Sequence, residues 1–210
     1  MTNKTTPNAL AQKVVDLRHV LCGADPNILA MRIGAKYVTE PDGKSYLDIP
    51  LWSKPVHISF PDLVAYDPIT VQELSTSTQA LLLYHLVTSD GAPLQCRWVS
   101  FAELPGGRFY NQAFQGYSGN ELVRAFGNDI VAFSRACIQI NGITESTGDA
   151  AFRFEVLPRL PVLLVYWQGD EDFPSSIKVL FDASACHHVP VDVCAMVGGS
   201  LTGKLIRVRE

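Results

Sequence analysis

Long apolar runs are missing from this chain: none reaches the ~20 consecutive residues that cross a bilayer as a helix, so no membrane-spanning role is expected. The opening, MTNKTTPNALAQKVVDLRHVL, lacks the uninterrupted apolar stretch and small-residue cleavage site of a secretory signal, and the expectation is a cytoplasmic protein. Basic clusters are missing too. There are 17 Lys and Arg against 21 Asp and Glu, a formal net charge of -4. No Lys/Arg run stands out that would neutralise a phosphate backbone or an anionic lipid surface, so nucleic acid and membranes are not expected partners. Cysteine is sparse. Five thiols, at positions 22, 96, 137, 186 and 194, are too scattered for a disulfide framework and leave at least one unpaired, which fits reduced thiols. Nucleotide and hydrolase signatures are absent as well: PGGRF and VGGSLTGK lack P-loop spacing, and no GxSxG elbow occurs.

What is present is apolar. With 47% apolar residues in 210, the chain can bury a substantial core, and one domain over residues 1–210 is expected, with residues 1–35 a helical N-terminal part. Leu10, Val14, Leu17 and Leu21 recur at helical spacing. In GADPNILAMRIG, Asp25 stands as N-cap, Pro26 at the first helical position and Gly34 as a stop. AKYVTE and SYLDIP flank a Pro-Asp-Gly turn, and KPVHISF follows, so a small antiparallel element is predicted. Thr70 and Glu73 have capping-box spacing ahead of a run ending at Gly91, which predicts the longest helix of the chain. LQCRWVSF alternates as a half-buried strand with Leu94, Cys96 and Trp98 on one side, and ELPGGRFY breaks it.

Ser118 and Glu121 suggest a second capping box, and Asn128 a cap for DIVAFSRACIQI, whose Ile130, Phe133, Cys137 and Ile140 share a face. Three strands follow, AAFRFEVL, PVLLVYW and SIKVLF, and a last helix carries Pro190, Cys194, Val197, Leu201 and Leu205 on one stripe. Short strands, tight turns and helices without regular βαβ alternation predict an α+β fold with a mainly antiparallel sheet.

The residues able to carry chemistry gather after residue 163. In YWQGDEDFP, Gly169 and Asp170 make a tight turn, Phe173-Pro174 is expected to pin the chain back on the core, and three consecutive carboxylates at 170–172 repel one another unless a cation or a positive partner offsets them. Asp182 is placed either to hold the following backbone in an Asx turn or to face those acids. Cys186, His187 and His188 follow; if that segment is extended, Cys186 and His188 share a face. Asp170, Asp182, Cys186 and His188 therefore form the candidate metal set, provided the 170–174 bend and the 182–188 segment meet at the same rim of the sheet. Packing, exposed turn and strand-end roles remain the plainer readings of each. Cys96, Cys137 and Cys194 lie on apolar faces, where a thiol packs as a small hydrophobe, and His85 on the long helix reads as a core histidine or a cofactor ligand.

LLLYHLVTSDGAPLQCRWVSFAELPGG and GDAAFRFEVLPRLPVLLVYWQGDEDFPSSIKVLFDAS, taken together, resemble a prokaryotic family described as domain of unknown function 3786. Ser100-Phe101, Leu104 to Gly107, Gly148-Asp149, Leu157 to Pro161, Trp167 through Pro174 and Leu180 to Asp182 carry the resemblance. It implies an anaerobe-associated protein, some of whose relatives carry an iron-sulfur domain similar to that of the corrinoid iron-sulfur protein of one-carbon metabolism. The family supplies no catalytic residues to carry over. CHHVPVD departs from the aromatic-Leu-Pro entry that similar chains show into the last helix, with Asp192 at the place of its acid.

Three functional readings follow. One is an accessory or cofactor-binding module of anaerobic metabolism, taking a corrinoid or a transition metal or docking on an iron-sulfur or corrinoid protein, with His85, Trp98, Tyr110, Trp167, Asp170 and Phe173 around the cofactor. A second is a metal-dependent hydrolase or isomerase using Asp149, Asp170, Glu171 and Asp182. The third is an interaction module without a small-molecule site.

Overall fold

A computed structural model describes residues 7–209; residues 1–6 of the expected N-terminal helical part lie outside the described residues. The fold is α+β, with two antiparallel sheets accompanied by helices. The described chain divides into two compact units, one over residues up to Ala92 together with His187–Pro190, the other over Pro93–Cys186 and the residues from Val191.

In the first unit, α1 (Pro7–Val20) and α2 (Pro26–Ile33) form where the apolar spacing and caps predict. Asp25 accepts the Asn27 N–H at 2.8 Å, and Gly34 ends α2 with φ 70°. The strands β1 (Lys36–Thr39), β2 (Ser45–Leu51), β3 (Lys54–Phe60) and β4 (Ala65–Tyr66) pair in sequence order, all antiparallel. Their period-two pattern buries Leu47, Ile49, Leu51, Val56, Ile58 and Ala65 and turns Tyr46, Asp48 and His57 to the other face.

The long helix of this unit, α3 (Thr76–Thr88), starts six residues after Thr70, the expected cap. Asp67 takes the N–H groups of Ile69 and Thr70 at 2.8 and 3.0 Å, and Leu74 donates to the Ala65 carbonyl, so residues 67–74 serve as a turn and a partner for β4. Ser75 is the cap instead. Gln79, buried in the first turns of α3, both accepts from Ala65 N at 2.9 Å and donates to Ala65 O at 2.8 Å, completing the edge of β4 with a side-chain amide in place of another strand.

The second unit holds β5 (Trp98–Ser100), β6 (Ile143–Glu145), β7 (Ala150–Leu157), β8 (Leu160–Trp167) and β9 (Ser176–Asp182) in the order β5-β9-β8-β7-β6. Phe152, Phe154, Val162, Leu164, Tyr166, Ile177, Val179 and Phe181 share one buried face, and Phe101 stacks on Phe114 at 4.2 Å with Phe181 6.3 Å away. Around this sheet run α4 (Gly107–Tyr117), α5 (Gly119–Phe126), α6 (Ile130–Gln139) and α8 (Val191–Arg209), with the single turn α7 (Ala185–His188) before α8. At 19 residues α8, not α3 with 13, is the longest helix among the described residues.

Several expectations are revised here for local reasons. ELPGGRFY does not merely break a strand; Gly106, at φ 80°, turns the chain into α4, and a Cβ on Gly107 would sit 1.8 Å from the Phe101 carbonyl oxygen. Ser118 does not cap α5, since its hydroxyl donates to the Phe114 carbonyl at 2.5 Å while Glu121 pairs with Arg124. Asp129, rather than Asn128, caps α6 by accepting from Ala132 N at 2.9 Å. The strand expected over LQCRWVSF shrinks to Trp98–Ser100, and Cys96, at φ 54°, is exposed rather than packed.

Candidate functional site

The first unit gathers two of the predicted residues. His85, near the end of α3, and His188 are both fully buried, with ring centroids 6.1 Å apart. Their protonation follows from their partners. His85 Nδ1 lies 3.1 Å from the His188 carbonyl oxygen, which only accepts, so the proton is on Nδ1. The Ser89 hydroxyl donates to the Arg32 carbonyl at 2.9 Å, so towards His188 Nδ1, 2.9 Å away, it acts as acceptor and that nitrogen too carries the proton. A neutral ring with its proton on Nδ1 carries its lone pair on Nε2. One turn on, the exposed Asp90 takes a 2.7 Å hydrogen bond from His187, which with the Ala92 N–H holds its carboxyl below the usual carboxylate range. The plain expectation of two partly exposed histidines holds for His187 and fails for His188.

Cys186 to His188 form a helical turn, not an extended segment. Successive side chains on a helix advance by about 100°, so Cys186 and His188 point to opposite sides, the reverse of what a strand would give. In the second unit the Cys186 side chain and burial together push the thiol of Cys194, on α8, well above its ordinary value.

Asp182 ends β9 as an Asx turn. Its Oδ1 accepts from Ser184 N at 2.9 Å, Ser184 Oγ at 2.6 Å and Gln95 N at 3.0 Å. Asp170 likewise serves its own loop, its Oδ1 accepting from Asp172 N at 2.9 Å and Phe173 N at 2.8 Å. The two aspartates are not neighbours. The bend after Trp167 enters β9 at Ser176, whereas Asp182 and Cys186 follow its far end, about 20 Å away at 3.3 Å per residue. The shared rim on which the metal set depends is thus not formed. Among the described residues no group of three or more His, Cys, Asp or Glu side chains lies close enough to hold a metal ion.

The predicted aromatic wall is also dispersed. Trp98 and Trp167 lie on the same face of the second sheet, both half-buried against Ala151, Leu163 and Val165, with Lys178 Nζ 5.1 Å from the Trp167 ring. Their partners on β9 are Asp182 and Ser176, so they stand at opposite ends of that strand. Tyr110 is 60% exposed on α4, and Phe173, 71% exposed, does not pin its bend to the core. What pins it is Asn128: its Oδ1 accepts from Gly169 N at 2.9 Å, its Nδ2 donates to Gly169 O at 3.2 Å, and Asp149 accepts from Gln168 N at 2.7 Å. An open, apolar cleft of ≈ 480 Å³ lies beside Asp149, between Ala150 and the Ile130, Val131 and Ile138 side of α6.

Sequence reasoning cast Asn128 only as a helix cap and passed over Ser89. Ser89 had a usable signal, standing four residues after His85, but nothing along the chain joins Asn128 to a glycine forty-one residues later. Phe109, 91% exposed, was missed because its helix was.

The family model described as domain of unknown function (DUF3786) matches residues 25–204. This chain belongs to that family. Within the matched region Asp149, Trp167 and Asp170 shape the β8–β9 end, and Asp182 the turn into α7. No curated protein and no solved structure matches. No helix among the described residues is long and apolar enough to cross a membrane.

Proposed function

We propose that this DUF3786 chain is an accessory module of anaerobic metabolism that works by docking on a corrinoid or iron-sulfur protein. What supports docking is the outer side of α4, where Phe109 (91% exposed), Tyr110 and Tyr117 face solvent, joined at Gly199 and Met196 by α8. Exposed aromatics and methionine at this density are the composition of protein interfaces. Three of the four carboxylates named for the hydrolase reading, Asp149, Asp170 and Asp182, accept backbone hydrogen bonds, which favours docking over acid-base chemistry. The nature of the partner rests on the resemblance alone.

A second reading, direct capture of a transition metal or corrinoid, is favoured by His85 and His188, whose Nδ1 atoms are anchored by a carbonyl and a hydroxyl as metal-binding histidines are. One experiment separates the two. Size-exclusion chromatography of the chain with a purified corrinoid iron-sulfur protein is expected to show a complex that Phe109→Ser with Tyr110→Ser weakens at least ~10-fold, as loss of aromatic anchors does, with circular dichroism unchanged. Absence of a complex overturns docking. A visible-spectrum change with cob(II)alamin alone, lost in His85→Ala, would put the second reading in its place.

A further inference from the structure

Helix α6 is apolar on two sides. Phe133, Ala136 and Cys137 are buried in the core, while Val131 and Ile138 of the same helix are 63% and 61% exposed. A surface helix ordinarily keeps one apolar stripe for the core and turns polar residues to solvent, so a second stripe marks a surface made to be covered. Val131, Ser134, Arg135 and Ile138 follow one another at i, i+3, i+4 and i+7, the spacing of a single helix face. They line the open cleft of ≈ 480 Å³ together with Ile130 and, at the start of β7, Asp149 and Ala150. That volume lies within the ~300–1,000 Å³ of small-molecule sites, which pair an apolar lining with a few polar anchors.

The charged anchors of this cleft have opposite signs. Arg135 and Asp149 line the same cleft, yet neither enters an ion pair among the described residues. Asp149 is fixed in place: its N–H donates to the Tyr166 carbonyl at 2.9 Å, and its Oδ2 accepts from Gln168 N at 2.7 Å. A ligand with only a carboxylate would be attracted by Arg135 and repelled by Asp149, and a plain amine would meet the reverse. A molecule that carries both charges on an apolar body satisfies the arginine, the aspartate and the apolar wall at once. We propose that the α6–β7 cleft binds an apolar zwitterion, the chemistry shared by free apolar amino acids and short apolar peptides. Arg135 takes the carboxylate, Asp149 the ammonium group, and Val131, Ile138 and Ala150 the apolar side chain. None of these residues belongs to the α4 docking face, so either site can fail without the other.

The test is a two-dimensional NMR titration of the full ¹⁵N-labelled chain with leucine and with leucyl-leucine. Saturable shifts are expected at the amides of residues 130–138 and 148–150, and the tighter of the two ligands identifies the source as free amino acid or peptide. Two analogues of leucine each lack one charge: 4-methylpentanoate has no ammonium group and 3-methylbutylamine no carboxylate. Each should bind at least ~10-fold more weakly than leucine, the loss of one hydrogen bond between charged groups. Arg135→Gln should weaken the zwitterion by a similar factor without weakening 3-methylbutylamine. Asp149→Asn, which keeps an oxygen to accept from Gln168 N, should weaken the zwitterion without weakening 4-methylpentanoate. Absence of saturable shifts at these amides with both zwitterions would overturn the proposal, and so would single-charge analogues that bind as tightly as leucine. The analogue series on the native chain decides even if a variant fails to fold.

Discussion

Burial by itself would raise the pKa of Asp182, yet its carboxyl is held below the ordinary value because Ser184, through hydroxyl and backbone, and the N–H groups of Gln95 and Cys96 all donate to it. A depressed folded-state pKa means that the charged form stabilises the fold at every pH above the unfolded value and that this contribution disappears as pH falls through the folded one. Asp182→Asn keeps an acceptor at the same place but removes the charge, so a loss of about 1–3 kcal/mol is expected at pH 7. Below pH 4 the gap to the native chain should narrow. Asp67, Asp90 and Glu103 are shifted the same way at exposed sites, so the acid limb of the native chain is not one group's; the difference between urea unfolding curves of the two proteins isolates Asp182. A gap that stays constant from pH 7 to pH 2.5 would refute this assignment. At this scale the sequence was readable wherever a side chain serves its own neighbours: Asp25 capping α2 and Asp182 making an Asx turn need only a few residues of context. Asn128 and Gln79 were not readable, since each satisfies backbone groups that only the tertiary fold brings near.

Of the three glycines in helix α8, the propensity scale treats Gly198 and Gly203 alike and the packing does not. A Cβ on Gly198 would lie 2.6 and 2.8 Å from the ring of Phe114, which is itself stacked on Phe101, whereas a Cβ on Gly203 meets nothing within 4 Å. Gly203→Ala is therefore expected to stabilise by about 0.5–1 kcal/mol, the helix-propensity difference. Gly198→Ala gains the same propensity but forces the aromatic stack to move, and overpacking of that kind costs about 1–3 kcal/mol, so its melting temperature should fall while that of Gly203→Ala rises. Equal shifts in the two variants would show that α8 does not press on Phe114 as described. The same contrast explains which elements could be foreseen. Strands β7 and β9 announce themselves by alternation, β8 by a continuous apolar run and all three by polar turns, and α1, α2 and α8 by apolar stripes. The start of α3 and the whole of α4 do not, because residues 67–74 have a capping-box spelling but are held by Asp67 and β4, and because the glycines that open α4 look like breakers until Phe101 is seen against Gly107.

At the scale of the molecule, the fold class was legible and the site was not. Period-two and helical patterns identify strands and helices, but which rim a loop reaches depends on strand order, and antiparallel pairing of β8 with β9 sends the acidic bend and the Cys186 segment to opposite ends of β9. What the whole fold does dictate is a graded set of thiols. Cys22 and Cys96 are exposed, Cys186 is half-buried, and Cys137 and Cys194 are fully buried in the second unit. Thiolate is the reactive form, and burial of Cys137 suppresses it as well as blocking access. With a chromogenic disulfide in excess under native conditions, Cys22 and Cys96 should react first and Cys186 more slowly. Cys137 should wait for opening of the surrounding core, which at a typical stability of about 5 kcal/mol or more exposes it less than ~0.1% of the time. Its labelling should then accelerate with urea along the unfolding curve of the second unit, while that of Cys22 stays flat. Cys194, as fully buried on α8 as Cys137 is on α6, should track Cys137 throughout, and labelling in step with Cys186 would show that α8 opens before the rest of the core.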